Sequence, residues 1–183
     1  MKYIKTLVGA LLATALLVTV ATAAPSTNAP LATPTDSKLG EWTLSLSGGG
    51  STALGGDAKN VGSAIGGEFQ LGHDAKIILP AEVGLRQSIG YSDVKGSSWL
   101  FGTKAFTDWT IVKFGNVEFD AGGNIGLSYG NTTPKWTAAP EVVGRLYLKK
   151  DVDFFARVEY PFNLTDGKSE NRLTYVLGIR VRF

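Results

Sequence analysis

The chain has no cysteine. Disulfides, thiolate-bound metals and lipid anchoring through an N-terminal cysteine are therefore excluded. Its one histidine, His73, rules out a metal site built from several imidazoles and leaves any histidine acid–base chemistry to a single residue. The acids show no calcium-loop spacing, and Gly48-Gly49-Gly50 and Gly55-Gly56 lack the Lys-Ser/Thr of a phosphate loop. No cofactor is expected. There is no clustered basic excess, since net charge is only +2, which argues against nucleic-acid binding. Helix-period apolar patterns are missing after the first 23 residues.

The N-terminus reads as a secretory signal. Lys2 and Lys5 form a basic start, and residues 6–23 carry no charge. Ala21-Thr22-Ala23 offers the small-x-small pattern of a cleavage site, which places processing after Ala23. The competing reading is a retained membrane helix, for which the stretch is just long enough. Pro25, close behind, favours removal. Loss of Lys2 and Lys5 leaves a formally neutral chain with 16 charges of each sign. Residues 24–39 hold Pro25, Pro30 and Pro34 among Ser, Thr and Ala, and read as a flexible periplasmic segment. Residues 40–183 form the one folded domain.

Strand patterns fill that domain. In the last eleven residues, Leu173, Tyr175, Leu177, Ile179, Val181 and Phe183 alternate with Thr174, Val176, Gly178, Arg180 and Arg182. One face is apolar and the other mostly polar or small. The length suits the roughly 9–11 residues of a tilted membrane-crossing strand. Seven more strands are expected at about Glu41–Ser47, Asn60–Gly72, Ile78–Tyr91, Ser98–Lys113, Val117–Tyr129, Glu141–Lys149 and Val152–Phe162. The fourth is irregular: Trp99, Phe101, Ala105, Trp109 and Ile111 share one face, but Leu100, Phe106, Val112 and Phe114 fall on the other, so a bulge or a local bend is expected. Short turns are expected at His73–Lys76, Gly115-Asn116 and Lys150-Asp151. Longer polar links are expected at Gly48–Lys59, Ser92–Ser97, Gly130–Pro140 and Asn163–Asn171. The glycine clusters read as mobile surface loop.

Period-two alternation fits a soluble barrel or sandwich as well as a membrane barrel. Two features favour the membrane. The apolar faces of the fifth, seventh and eighth strands are free of charge throughout. Aromatics also gather near strand ends: Tyr91, Trp99, Tyr129, Tyr160 and Phe162 toward one rim, Trp42 and Phe183 toward the other, as rings do at bilayer interfaces. With the apolar face outward, Glu68, Glu82, Asp108, Glu118, Asp120, Asp153 and Glu159 face inward with Arg86, Lys104, Arg145, Arg157, Arg180 and Arg182. An eight-stranded barrel has room inside only for its own side chains, so these charges are expected to pair and plug the lumen.

The alternating C-terminal strand ending on Phe183 resembles the assembly signal of bacterial outer-membrane barrels, carried here by Tyr175, Leu177, Ile179, Val181 and Phe183. Residues 40–183 as a whole resemble the small eight-stranded barrels of the OmpA-barrel and OmpX type. The resemblance implies an all-β, eight-stranded, antiparallel up-and-down transmembrane barrel in the bacterial outer membrane. Its implied partners are outer-membrane lipid or lipopolysaccharide and the barrel-assembly machinery; a surface partner is not named by the sequence. Some such barrels modify lipid A with a His and a Ser near the outer leaflet. His73, expected in a periplasmic turn, does not match that site, and Glu118 with Asp120 share a strand face as a lumenal pair would. Three functions follow: a non-enzymatic structural or surface-interaction barrel first, a small-solute pore second, a lipid-modifying enzyme last. Asn131-Thr132-Thr133 and Asn163-Leu164-Thr165 match glycosylation sequons, which matter only on a eukaryotic secretory route.

Overall fold

A computed structural model describes residues 40–54, 64–76, 79–92, 98–130, 133–165, 168–169 and 172–183. The expected signal peptide at 1–23, the segment at 24–39 and Gly55-Gly56 lie outside the described residues. Among the described residues ten strands occur: β1 Trp42–Ala53, β2 Ala64–Lys76, β3 Pro80–Ser92, β4 Ser98–Phe114, β5 Val117–Gly130, β6 Lys135–Lys149, β7 Val152–Glu159, β8 Phe162–Asn163, β9 Lys168–Ser169 and β10 Arg172–Arg182. Every pairing is antiparallel.

Each long strand pairs with its sequence neighbours, and β10 pairs with both β7 and β1. The sheet therefore closes. At the seam, Trp42 and Phe183 exchange two backbone hydrogen bonds of 3.0 Å. β7 and β8 are one barrel strand, since both pair with β6. Tyr160 and Pro161 interrupt it, and Pro161 has no N–H to give the ladder. The result is an eight-stranded, all-antiparallel, up-and-down barrel. Among the described residues β9 pairs antiparallel with β8 alone.

Several boundaries differ from the sequence expectation. Gly48-Gly49-Gly50 lie inside β1, not in a mobile loop. Residues 73–76 continue β2 and β3 begins at Pro80, so His73 is a strand residue. β6 starts at Lys135 and absorbs most of the expected Gly130–Pro140 loop, and β8 and β9 occupy part of the Asn163–Asn171 link. Composition misled in each case. Glycine and short polar residues signal turns in an average protein, yet here they lie within strands. Gly49 faces the crowded interior, where a Cβ would lie 2.9 Å from the Val176 Cα.

The two-residue turns at Gly115-Asn116 and Lys150-Asp151 stand as expected. Gly115 has φ +57°, in the left-handed region that tight hairpins need and that glycine enters without strain. The bulge in β4 is also present. Register runs Thr110↔Asp120 and then Val112↔Phe119, leaving Ile111 unpaired. The extra residue switches parity. Val112 and Phe114 thereby join the outward set opposite Phe119 and Val117, and Lys113 turns inward opposite Glu118. Phe106 stays inward because β4 has not yet bulged at that point, and it is 5% exposed.

Burial is inverted relative to a water-soluble protein. Among the described residues, twenty buried side chains are polar or charged and six are hydrophobic. Outward residues such as Ile65 and Leu46 are 72% and 67% exposed. Leaving a large apolar side chain in water forgoes about 1.5–3 kcal/mol. Over the 26 exposed large hydrophobics the total reaches tens of kcal/mol, beyond the roughly 5–15 kcal/mol stability of a domain. The outward face suits hydrocarbon.

Inward glycines set the interior packing. Gly178 faces Phe155 across the β10–β7 pair, and a Cβ there would lie 2.7 Å from the Phe155 ring. Gly48 points outward, where the nearest atom to its Cβ is 3.6 Å away. Gly178→Leu is therefore expected to lower the unfolding free energy of the vesicle-refolded barrel by about 1–3 kcal/mol, and Gly48→Ala to leave it nearly unchanged. Urea titration followed by tryptophan fluorescence measures both. Equal midpoints for the two variants would contradict this packing.

Candidate functional site: the charged lumen

The inward residues of all eight strands form one ion-pair network. Its hub is Glu82 of β3, 2% exposed. Its Oε1 accepts from Thr43 Oγ1 at 2.5 Å and Gln70 Nε2 at 3.1 Å. Its Oε2 accepts from Arg145 Nη2 at 2.8 Å and from Arg180 Nη1. Four hydrogen bonds saturate this carboxylate, as a charge in so dry a setting requires.

On the turn side, Arg180 Nε donates to Asp153 Oδ2 at 2.9 Å, and Arg182 Nη1 donates to the same oxygen at 3.2 Å. Arg182 also reaches Asp74 at 3.1 Å and the Tyr147 hydroxyl at 2.9 Å. The Tyr147 ring lies 4.9 Å from both the Arg182 guanidinium and the Lys113 ammonium. Arg145 Nη1 pairs with Glu118 at 3.3 Å and with Asp120, and Lys113 reaches Glu118 at 3.5 Å.

On the loop side, Arg86 donates to Glu141 at 2.6 Å and Asp108 at 3.1 Å, and lies 3.9 Å over the Phe106 ring. Arg157 pairs with Glu68 and Glu159, both at 2.7 Å, and Lys104 meets Glu159 at 3.0 Å. Asn124 donates to Glu141 at 2.8 Å. Gln70 joins the two halves. Its Oε1 accepts from Arg86 at 2.8 Å and Arg157 at 3.4 Å, and its amide nitrogen donates to Glu82.

The thirteen residues that the sequence assigned to the lumen thus sit together on inward positions, within ion-pair range of one another. Sequence reasoning missed Asp74, Lys113, Glu141 and Tyr147. Asp74 lay in the expected turn and Glu141 at the first residue of a strand drawn too short. Lys113 needs the bulge to point inward. Tyr147 follows from the parity of Arg145 alone, so that signal was available. His73 is corrected from periplasmic turn to the outward face of β2, where its ring lies 4.8 Å from Trp42.

Apolar side chains join them: Val143, Phe155 and Val176 form a buried cluster on the same inner face. Small cavities lie among the described residues, one lined by Gln70, Arg86, Asp108 and Arg157, another by Asp74, Tyr147 and Arg182. Each has room for about one or two water molecules. Among the described residues no group of three His, Asp or Glu side chains is placed to hold a metal ion.

The chemistry open to this arrangement is electrostatic. Arginines stay charged, and each carboxylate removed strands a cation in a dry interior. Glu82→Ala is expected to cost about 3–5 kcal/mol of stability, because Arg145 and Arg180 both lose a partner. Lys149→Ala, an exposed position at the turn-side end of β6, is expected to stay within about 0.5 kcal/mol of the wild type. Denaturant titration in vesicles checks the contrast, and equal effects would mean that Glu82 holds nothing together.

No protein-family model matches the chain, and no curated protein sequence matches it. Solved structures do. The neisserial surface protein NspA aligns with TM-score 0.55 at 12% identity, over 79% of this chain and 97% of NspA. Ail, the attachment invasion locus protein of Yersinia pestis, aligns with TM-score 0.45 at 12% identity, over 79% and 97%. The N-terminal β-barrel domain of Pseudomonas aeruginosa OprF aligns with TM-score 0.43 at 13% identity, over 79% and 99%. The likeness to NspA establishes the fold, that of a small outer-membrane β-barrel.

Proposed function

We propose that this protein resides in the bacterial outer membrane as a non-enzymatic barrel with a structural or cell-surface interaction role, its lumen closed to solutes. The observation that carries the reading is the continuous lumenal network centred on Glu82. Paired side chains that run, among the described residues, from Arg182 on the turn side to Lys104 on the loop side support a lumen closed to solutes. Removing one partner of a buried pair is costly, so the network resists opening at thermal energies. The apolar outer face and the aromatic residues at both strand ends support residence in a bilayer. Outer-membrane lipid and lipopolysaccharide are then its immediate surroundings, and the alternating strand β10 is the segment offered to the barrel-assembly machinery. Surface interaction falls to the loop-side ends of the strands, where Leu54, Thr133 and Pro134 are exposed.

In planar bilayers the purified protein is expected to give no stepwise current, while an outer-membrane fraction shows a heat-dependent shift in gel mobility. Stepwise current that changes with substitution at Arg86 or Glu118 would replace this reading with a solute pore. Altered lipid A on expression, read by mass spectrometry, would replace it with an enzyme.

A further inference from the structure

Three polar side chains meet on the outward face of β3, β4 and β5, where the neighbouring residues are apolar. Thr103 Oγ1 donates to Gln87 Oε1 at 2.6 Å. Gln87 Nε2 donates to the Tyr129 hydroxyl at 3.0 Å. The Thr103 and Tyr129 hydroxyls lie 3.2 Å apart. Thr103 has one proton and gives it to Gln87, so Tyr129 is the donor in that last pair. The second N–H of Gln87 then has no partner among the described residues, and Gln87 and Thr103 are exposed. An amide proton left bare in hydrocarbon is costly.

Aromatic rings mark the depth of this trio. Phe101 stacks on Tyr129 with centroids 5.9 Å apart, and Tyr91 meets Trp99 edge-on at 5.5 Å, both toward the loop ends of their strands. Such rings sit at the headgroup boundary. Toward the middle of the barrel, Thr103 is followed on the outward side of β4 by Ala105 and Thr107. Leu85 and Ile125 flank Ala105 and are 59% and 50% exposed. Ala105 lies low between these walls and Thr107 lies between Val83 and Gly123, so the small residues form a furrow, open on its Gly123 side, that runs down from the trio into the apolar band.

We infer that this trio and furrow form a binding site for the lipid A portion of lipopolysaccharide. The spare Gln87 N–H donates to a carbonyl that links an acyl chain to the sugar. The remaining lone pairs on Thr103 and Tyr129 accept from the amide N–H or chain hydroxyl of the same lipid. One acyl chain lies along the Ala105–Thr107 furrow. A phospholipid offers only accepting esters at this depth, so it satisfies half of the trio. The inference rests on the outer-membrane reading above, because it takes the loop ends to lie in the outer leaflet.

The test is native mass spectrometry of the detergent-purified protein with lipid A as probe and phosphatidylethanolamine as competitor. The wild type is expected to retain one lipid A. Gln87→Leu combined with Thr103→Val is expected to weaken retention roughly five- to tenfold, the size of one or two neutral hydrogen bonds. Both substitutions lie outside the lumenal network, and the heat-dependent gel shift reports that the barrel still closes. Equal retention by variant and wild type overturns the site, as does no retention by a wild type that shows the shift. Displacement of lipid A by an equal amount of phosphatidylethanolamine also overturns it. A wild type with no shift at all overturns the membrane reading itself, and the site with it.

Discussion

Closure of the sheet between β1 and β10 is the constraint from which the rest of this structure follows. Once Trp42 and Phe183 complete the ring, no strand edge is left to bond water or another chain along the seam. The backbone is then self-sufficient in hydrocarbon. Closure with only eight strands also fixes a narrow interior. Every second residue must fit into it, and whatever charge it carries must find its counter-charge within a few ångströms.

Sequence and packing answer that demand together. Long inward side chains alternate with glycine across the strand pairs: Phe106 faces Gly84, Asp108 faces Gly122 and Lys104 faces Gly126. Glycine therefore serves here as the missing volume opposite a large neighbour. The charges are shared, not paired off in isolation. Asp153 holds both Arg180 and Arg182, Arg145 reaches four carboxylates, and Gln70 bridges the two halves. Each ionic group is ordered by several others, which spreads the entropic cost of fixing long side chains. Desolvation of so many ions consumes most of the Coulombic gain. The network is thus better understood as fixing one arrangement of the interior than as a large store of stability.

Much of this was legible in the sequence. Strands β5, β7 and β10 carry uninterrupted alternation, and they were readable because one face is wholly apolar. The thirteen inward charges followed from parity alone. What was not legible traces to two physical causes. Small residues at Gly48–Gly50 and around Pro140 look like loop because most proteins put them there, whereas a tightly curved wall needs them inside strands. Parity also fails wherever the register slips. One unpaired residue, Ile111, decides whether Lys113 faces Glu118 or lipid. The polar trio on the outer face could not be found from alternation, since Gln87, Thr103 and Tyr129 come from three strands whose register the sequence does not state.

The account stands or falls on which face meets hydrocarbon. The natural chain has no cysteine, so single cysteines can be placed at Phe154, Val158 and Ile179 on one face and at Phe155 and Val176 on the other. A fluorophore on each, in vesicles containing spin-labelled lipid, reads the answer directly. The account predicts strong quenching at the first three positions and little at the other two. Quenching at Phe155 and Val176 with protection at Phe154, Val158 and Ile179 would contradict it.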